Sequence, residues 1–146
     1  MKNTYGFGQH LMLDGYGCNR EKLADRELLY NFLDTYPSEM EMTKVIPPYV
    51  FSCEDKKPEN WGYSGFVIIA ESHISIHTFP ERNYLSLDIF SCKAFDIQKA
   101  IKHVVELFEI KEKEVRVLDR GAEFPHNFIY AAKIASVERA AISGQQ

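Results

Sequence analysis

The sequence has few cysteines, and no pattern among them that points to a bridge or a cluster. Its 146 residues include only Cys18, Cys53 and Cys92, an odd number without a Cys-x-x-Cys spacing. This argues against a disulfide framework and against a cysteine-rich zinc site. Because reduced thiols are the simpler interpretation, we expect a cytoplasmic location.

Long hydrophobic runs and basic stripes are also absent. No stretch reaches the roughly 18 apolar residues that span a bilayer, and the N-terminus carries no secretory signal pattern, so we expect no membrane partner. The formal net charge is -4 at pH 7. Lysines between positions 99 and 113 are interleaved with glutamates, which is typical of a solvated helix face. Nucleic acid is therefore not an expected partner.

What the sequence does contain fits a single domain spanning residues 1–146. Hydrophobic residues make up 45% and charged residues 26%, enough for a modest core. Apolar alternation and helical spacing predict strands at 9–16, 42–52, 64–70, 73–79 and 84–90 with another around Val115 and Val117, and helices at 20–35 and 97–108. The tail 127–141 has partly helical spacing. The pattern predicts an α+β fold, a two-layer α/β sandwich with a mainly antiparallel sheet and helices on one face.

Prolines and capping residues give sharper local predictions. Asn19 and Asp96 precede the two helices as N-caps, and Pro37 is expected just beyond the end of the first. Pro47 and Pro48 have no N–H to donate to a β-ladder. We therefore expect the strand at 42–52 to lie at a sheet edge or to carry a bulge.

The stretch IIAESHISIHTFPE, residues 68–81, is unusual for a core strand. Alternation places His73 and His77 on one face, opposite the isoleucines, and such a polar face suits a site or a partner surface. The joint at Glu71 and Ser72 is tight enough to store backbone strain. Since Ser72 and His77 are five residues apart, bringing them together requires a bulge or turn at Ser72.

Simpler interpretations of this stretch are a metal site, a hydrolase nucleophile and a purely structural role. His73 and His77 would lie roughly 13 Å apart along a strand, too far to share a zinc ion with bonds of about 2 Å, so we expect no metal. Ser72 lacks the Gly-x-Ser-x-Gly context of a hydrolase nucleophile. Composition alone would favour a turn hydroxyl and a hydrogen-bonded histidine without catalytic function.

Several segments together resemble the short prokaryotic S-adenosylmethionine decarboxylase family. The resemblance covers roughly residues 7–120. It rests on Gly8-Gln9-His10-Leu11, Ser64-Gly65, the run AESHISIHT at 70–78, Pro80-Glu81, and Asp88-Ile89-Phe90-Ser91-Cys92. The Glu-Ser-His-x-x-x-His core, with a cysteine twenty residues after the serine, is specific.

The resemblance implies a role for each matching residue. The protein would cut its own bond between residues 71 and 72, so that Glu71 ends one chain and Ser72 becomes a pyruvoyl cofactor, which binds the substrate amine as a Schiff base. Ser64 and His77 match processing residues, with His77 as the proton carrier. Cys92 matches the proton donor for decarboxylation.

The resemblance also implies the substrate and the assembly. The substrate would be S-adenosylmethionine, decarboxylated to the aminopropyl donor for spermidine. Glu81 matches the acid that binds the ribose, and Phe51 lies where the family tends to have an aromatic residue. The processed αβ protomers would pair as a homodimer, with each site near the interface.

Some positions depart from the family pattern. Phe79 stands where tryptophan is usual, and Lys93 follows Cys92 where glycine is common. Because relatives of the fold decarboxylate arginine or ornithine with the same cofactor, those substrates stay open. A homologue that binds a ligand without processing is the other alternative, but intact Ser72, His77 and Cys92 favour the pyruvoyl enzyme.

Overall fold

A six-stranded sheet organises residues 7–122, the part of the chain that the computed structural model describes. The strands are β1 (Gly8–Tyr16), β2 (Tyr49–Cys53), β3 (Gly62–Ile69), β4 (Ser72–Phe79), β5 (Tyr84–Ser91) and β6 (Glu112–Arg120). Their spatial order is β2-β3-β4-β5-β1-β6, and the β2–β3, β3–β4, β4–β5 and β5–β1 pairs are antiparallel. The predicted α+β sandwich with a mainly antiparallel sheet is confirmed.

The core lies between one face of the sheet and the helices α1 (Arg20–Leu23), α2 (Arg26–Glu39) and α3 (Ile97–Phe108). Strand alternation selects that face, because every second residue is buried from Ile74 to Thr78 in β4 and throughout β5. Each fully buried leucine or isoleucine contributes about 1.5–3 kcal/mol. The largest fully buried side chains are Phe108, Leu11, Leu13, Leu23, Leu29, Leu33, Ile74, Ile76, Leu85, Leu87, Ile89 and Val67.

The helix predicted over 20–35 is in fact two helices. Asn19 caps α1 as expected, accepting a hydrogen bond from the Lys22 N–H at 3.1 Å. The chain then leaves helical geometry at Asp25, whose carboxylate accepts from the Leu28 N–H at 3.0 Å and starts α2. A second N-cap inside the apolar pattern therefore divides the helix.

Pro37 lies inside the last turn of α2, so its predicted place beyond the helix was wrong. Proline lacks the N–H that would bond four residues back. Its own carbonyl still accepts from the N–H groups of Met40 at 3.2 Å and Met42 at 2.8 Å. The missing bond is tolerated because the helix ends within the next few residues.

Strand β2 is at the edge of the sheet, as its two prolines predicted. It is shorter than the predicted 42–52, because Pro47 and Pro48 directly precede it and Lys44 forms only an isolated bridge with Ile69. The predicted strands at 64–70, 73–79 and 84–90 match β3, β4 and β5 within two residues. The cap at Asp96 is also confirmed, by a 3.0 Å bond from the Lys99 N–H.

The chain divides into a large unit, Gln9–Leu118, and a small unit of residues 1–8 and 119–146. In the described part of the small unit, the Phe7 N–H donates to the Arg120 carbonyl at 2.8 Å. The helical spacing expected at 127–141 lies outside the described residues, and assignment of 1–146 to one domain stays a prediction. Within residues 7–122, no helix is long and apolar enough to cross a membrane.

Candidate active site

The connection between β3 and β4 consists of only two residues, Ala70 and Glu71, because Ile69 pairs with Ser72. Ser72 has a φ of 152°, which is sparsely populated by residues other than glycine. The Ala70 N–H donates to the Thr43 carbonyl at 2.8 Å, and the Thr43 N–H donates to the Glu71 carboxylate at 3.2 Å. The backbone strain expected at this joint is therefore present at Ser72. The two hydrogen bonds with Thr43 hold Ala70 and Glu71, the residues just before it, in place.

The carbonyl oxygen of the Glu71–Ser72 peptide bond accepts a hydrogen bond from a backbone N–H. The Cys92 N–H donates to the Glu71 carbonyl oxygen at 2.8 Å. Cys92 itself is exposed and directly follows Ser91, the register partner of Ser72. The buried Ser91 hydroxyl donates to the Lys93 carbonyl at 2.8 Å and accepts from the Lys93 N–H at 3.0 Å. This small turn presents the Cys92 N–H at the Glu71–Ser72 bond.

A second polar cluster lies further along the same two strands. Ser64 and His77 are register partners, and Ser64 Oγ is 2.7 Å from His77 Nδ1. Ser64 is buried whereas His77 is exposed. Cys53 Sγ lies 3.2 Å from Ser64 Oγ, and Phe51 is the register partner of Ser64 on β2. This cluster therefore combines a hydroxyl, an imidazole and a thiol with a nearby aromatic ring.

These two clusters do not meet within one chain. Strand β4 pairs without interruption on both sides, with β5 from Ser72 to Phe79 and with β3 from Ser72 to His77. The bulge or turn at Ser72 that would be needed to bring Ser72 and His77 together is absent, so the two side chains stay apart within one chain. Two full ladders occupy the β4 backbone and leave no place for an extra residue. Five strand residues separate the pair by about 17 Å.

Glu81 lies beyond the far end of β4, in a 3-10 turn at Pro80–Arg82. Its carboxylate accepts hydrogen bonds from the Arg20 guanidinium and, at 3.3 Å, from the Trp61 indole N–H. These bonds, with Arg20 the stronger, hold the pKa of Glu81 below its usual range. Sequence reasoning missed Arg20, because nothing near position 20 marks it as a partner for position 81.

The sheet face opposite the helices carries an exposed aromatic patch. Tyr49 is 60% exposed and Phe51 is 39% exposed. The rings of Tyr49 and Phe51 are 5.5 Å apart, and Phe66 lies 6.0 Å from Tyr49. Patches of this kind typically mark a ligand groove or a protein interface. Within residues 7–122, no three His, Cys, Asp or Glu side chains form a group suited to a metal ion.

A sequence model of the family described as S-adenosylmethionine decarboxylase matches residues 9–121. The chain belongs to this family. A relative from Clostridium botulinum (strain Loch Maree / Type A3), named S-adenosylmethionine decarboxylase proenzyme, is 35% identical over 115 residues, which is 78% of this chain and 94% of the relative. A relative of the same name from Archaeoglobus fulgidus is 36% identical over 115 residues, 78% of this chain and 97% of the relative.

A solved structure of the family has the same fold. The crystal structure of the adenosylmethionine decarboxylase from Aquifex aeolicus VF5 matches with a TM-score of 0.67 and 26% sequence identity, covering 80% of this chain and 92% of that chain. The family assignment made from residues 7–120 is therefore confirmed. The roles of Ser64, Glu71, Ser72, His77, Cys92, Glu81 and Phe51 remain predictions.

Proposed function

We propose that this chain cuts its own Glu71–Ser72 bond and then decarboxylates S-adenosylmethionine to the aminopropyl donor for spermidine synthesis. The observation that carries the proposal is the contact at the Glu71 carbonyl. The Cys92 N–H lies 2.8 Å from that oxygen, and the next residue, Ser72, has a strained φ of 152°. Family membership and the name proenzyme borne by the relatives support it.

The cleavage begins with a shift of the acyl group. Ser72 Oγ attacks the Glu71 carbonyl carbon; the C–O bond forms, the C–N bond breaks, and the result is an ester with a free amine on residue 72. Negative charge develops on the carbonyl oxygen during the attack, and the Cys92 N–H is positioned to stabilise it. Strain at Ser72 raises the energy of the starting peptide and favours the shift.

The second stage is an elimination. A base removes the proton from Cα of residue 72, the bond between Cβ and Oγ of that residue breaks, and Oγ departs as part of the Glu71 carboxylate. The dehydroalanine that remains takes up water and loses ammonia, which leaves a pyruvoyl group at position 72. His77 has the chemistry of the base because a neutral imidazole has a nitrogen lone pair that accepts a proton.

The residues around position 72 fit a pyruvoyl group. Residue 72 is only partly buried, at the start of a strand, and the exposed Cys92 follows its register partner. Once formed, a pyruvoyl group there would supply a carbonyl that condenses with a substrate amine and accepts the electron pair left by departing CO₂. Cys92 returns a proton to the carbon that has lost CO₂. Glu81 and Phe51 lie at the His77 end of the sheet, so they serve the substrate of a second copy of the chain: Glu81 binds its ribose hydroxyls, and Phe51 packs against its adenine or sulfonium.

The Ser64–His77 pair acts on a second copy of the chain. It is about 17 Å from Ser72 of its own chain, beyond the reach of any proton transfer. A twofold axis near the middle of β4 would exchange the two ends of the strand, so that each His77 faces the partner's cleavage bond. The exposed aromatic patch around Tyr49 and Phe51 supports pairing through the open sheet face. The working form is thus a homodimer.

Intact mass spectrometry under denaturing conditions tests cleavage and substrate together. The expected result is two fragments, divided after Glu71, with the fragment that begins at residue 72 gaining S-adenosylmethionine mass under reductive trapping. An uncut chain would contradict self-cleavage. Fragments that trap arginine or ornithine but not S-adenosylmethionine would contradict the substrate.

Mixing two inactive variants tests action across the dimer. Neither Ser72→Ala nor His77→Ala is expected to cleave well alone. Unfolded together and refolded as mixed dimers, they should allow cleavage of the His77→Ala chain only, because that chain keeps Ser72 and its partner supplies His77. The mass of the cut fragments identifies which chain was cleaved. If the mixture stays uncut while mixed dimers are detected, each chain must cleave itself.

A further inference from the structure

Ser64 Oγ has two close partners, and its single proton must go to one of them. His77 Nδ1 is 2.7 Å away and Cys53 Sγ is 3.2 Å away. No other hydrogen-bond partner of this hydroxyl is found within residues 7–122, and Ser64 is only 7% exposed. The direction of one O–H bond therefore determines which nitrogen of His77 carries a proton.

The two directions have opposite chemical consequences. If Ser64 donates to His77 Nδ1, the neutral ring carries its proton on Nε2, which then cannot accept another. If Ser64 donates to Cys53, then the His77 Nδ1–H donates to Ser64 Oγ and Nε2 keeps its lone pair. His77 is exposed, and Nε2 has no hydrogen-bond partner in the described part of the chain. Only the second direction leaves a base at the surface.

We infer that Cys53 is a positioning residue whose sulfur accepts the Ser64 hydroxyl proton and so keeps His77 Nε2 available as the base for self-cleavage. This inference rests on the proposed role of the Ser64–His77 pair. Cys53 acts through Ser64 and contacts neither the cleaved bond nor the substrate. The cysteine thus converts a simple serine–histidine contact into a directional relay.

The position of Cys53 follows from the alternation of the edge strand. Tyr49, Phe51 and Cys53 share one face of β2, and Cys53 is paired with Gly62, two residues before Ser64. A Cβ at Gly62 would lie 1.7 Å from the Thr78 carbonyl oxygen, so β3 approaches β4 closely there. The register of β2 with β3 places the Cys53 thiol diagonally across from Ser64.

The direct test is the tautomer of His77, read by nitrogen-15 NMR of labelled histidine. It is made on the Ser72→Ala background, where the chain stays whole whatever the rate of cleavage. With Cys53 present, the proton should be on Nδ1. Cys53→Ala should move it to Nε2, because Ser64 then has only His77 to donate to. Cys53→Ser should largely keep the proton on Nδ1, because the serine oxygen also accepts the Ser64 proton. The effect is not complete because the C–O bond is shorter than the C–S bond and the oxygen reaches less far toward Ser64.

The functional readout is the rate of cleavage with Ser72 intact. Cys53→Ala should slow it about fivefold to tenfold, the size of one lost hydrogen bond, and Cys53→Ser should recover most of the loss. Ser52→Ala is the matched control, because Ser52 is adjacent on the same strand but on the other face. Circular dichroism would verify that all variants fold.

The two readouts separate this inference from the proposed function. An unchanged tautomer together with an unchanged cleavage rate in Cys53→Ala would overturn the role of Cys53 and leave self-cleavage standing. A tautomer change that Cys53→Ser reverses would support the relay. A wild-type chain that never cleaves would overturn the proposed function, whereas the NMR measurement on the uncut chain would still decide what Cys53 does.

Discussion

The turn at Ala70–Glu71 and the Ser64–His77 pair lie on the same two strands, yet they are built from different parts of the chain. At the turn, the contact to the Glu71 carbonyl comes from a backbone N–H and the unusual geometry is that of the backbone. At the pair, the contacts are between side chains. Self-cleavage should therefore tolerate side-chain changes at Cys92, whereas it should be slowed by the loss of a single side-chain atom from the Ser64–His77 pair.

The largest expected effect is at the turn itself. Ser72→Ala removes the attacking oxygen, so cleavage should be abolished while the fold persists. The measurement is the intact mass of the purified chain after long incubation. Ser38→Ala, at an exposed serine near the end of α2, should cleave normally. Two normal fragments from Ser72→Ala would remove Ser72 from the chemistry.

Cys92→Ala separates the backbone and side-chain roles of one residue. The Cys92 N–H remains, so the chain should still cleave. Decarboxylation should fall by about 10²–10⁴, the usual contribution of a positioned proton donor. Release of CO₂ from carboxyl-labelled S-adenosylmethionine measures turnover, and the mass spectrum measures cleavage. Full turnover would show that another group supplies the proton.

Ser64→Ala addresses the pair. The variant loses the hydrogen bond to His77, which becomes charged when it accepts a proton, and a hydrogen bond of this kind contributes about 1.5–3 kcal/mol. Cleavage should therefore slow roughly 10-fold to 100-fold without being prevented. The half-time of cleavage after refolding is the quantity to measure. A rate equal to that of Ser52→Ala would mean that the Ser64–His77 contact has no part in cleavage.

Arg20→Gln should have the smallest effect, because the Arg20–Glu81 pair is exposed. Arg20 lowers the pKa of Glu81 below its ordinary value of 4.5, so the variant should raise it. Because the pKa of Glu81 is lower in the folded chain than in the unfolded chain, the ion pair stabilises the fold fully at pH values above the unfolded-state pKa. This stabilisation is lost as the pH falls through the folded-state pKa. The difference in melting temperature between the two proteins should therefore be largest near neutral pH and vanish in acid. A constant difference would exclude the ion pair as its cause.

Local patterns predicted most of the sheet. The alternation in SHISIHTF and YLSLDIFS defines β4 and β5, and the proline pair at 47–48 predicted the edge position of β2. Where a second local signal competed, the prediction failed. Asp25 offers an N-cap inside an apolar periodicity, so one predicted helix became two.

The long-range geometry of the site was less predictable. Motif resemblance selected Ser72 and His77 as candidates, but it could not indicate that the ladder between them is uninterrupted, because this depends on the pairing of β4 with both β3 and β5. The partners of Glu81 come from positions 20 and 61. Such contacts depend on how distant elements pack, and no local spacing records them.

The strand order has a consequence for the cut protein. Cleavage after Glu71 would leave β1, β2 and β3 on one fragment and β4, β5 and β6 on the other, yet the sheet order is β2-β3-β4-β5-β1-β6. The fragments would be interleaved, with β1 held between two strands of the other piece. They should stay associated through purification under native conditions. Once unfolded, they would have to find each other in solution, so recovery of the cut form should depend on protein concentration as it does for any bimolecular assembly.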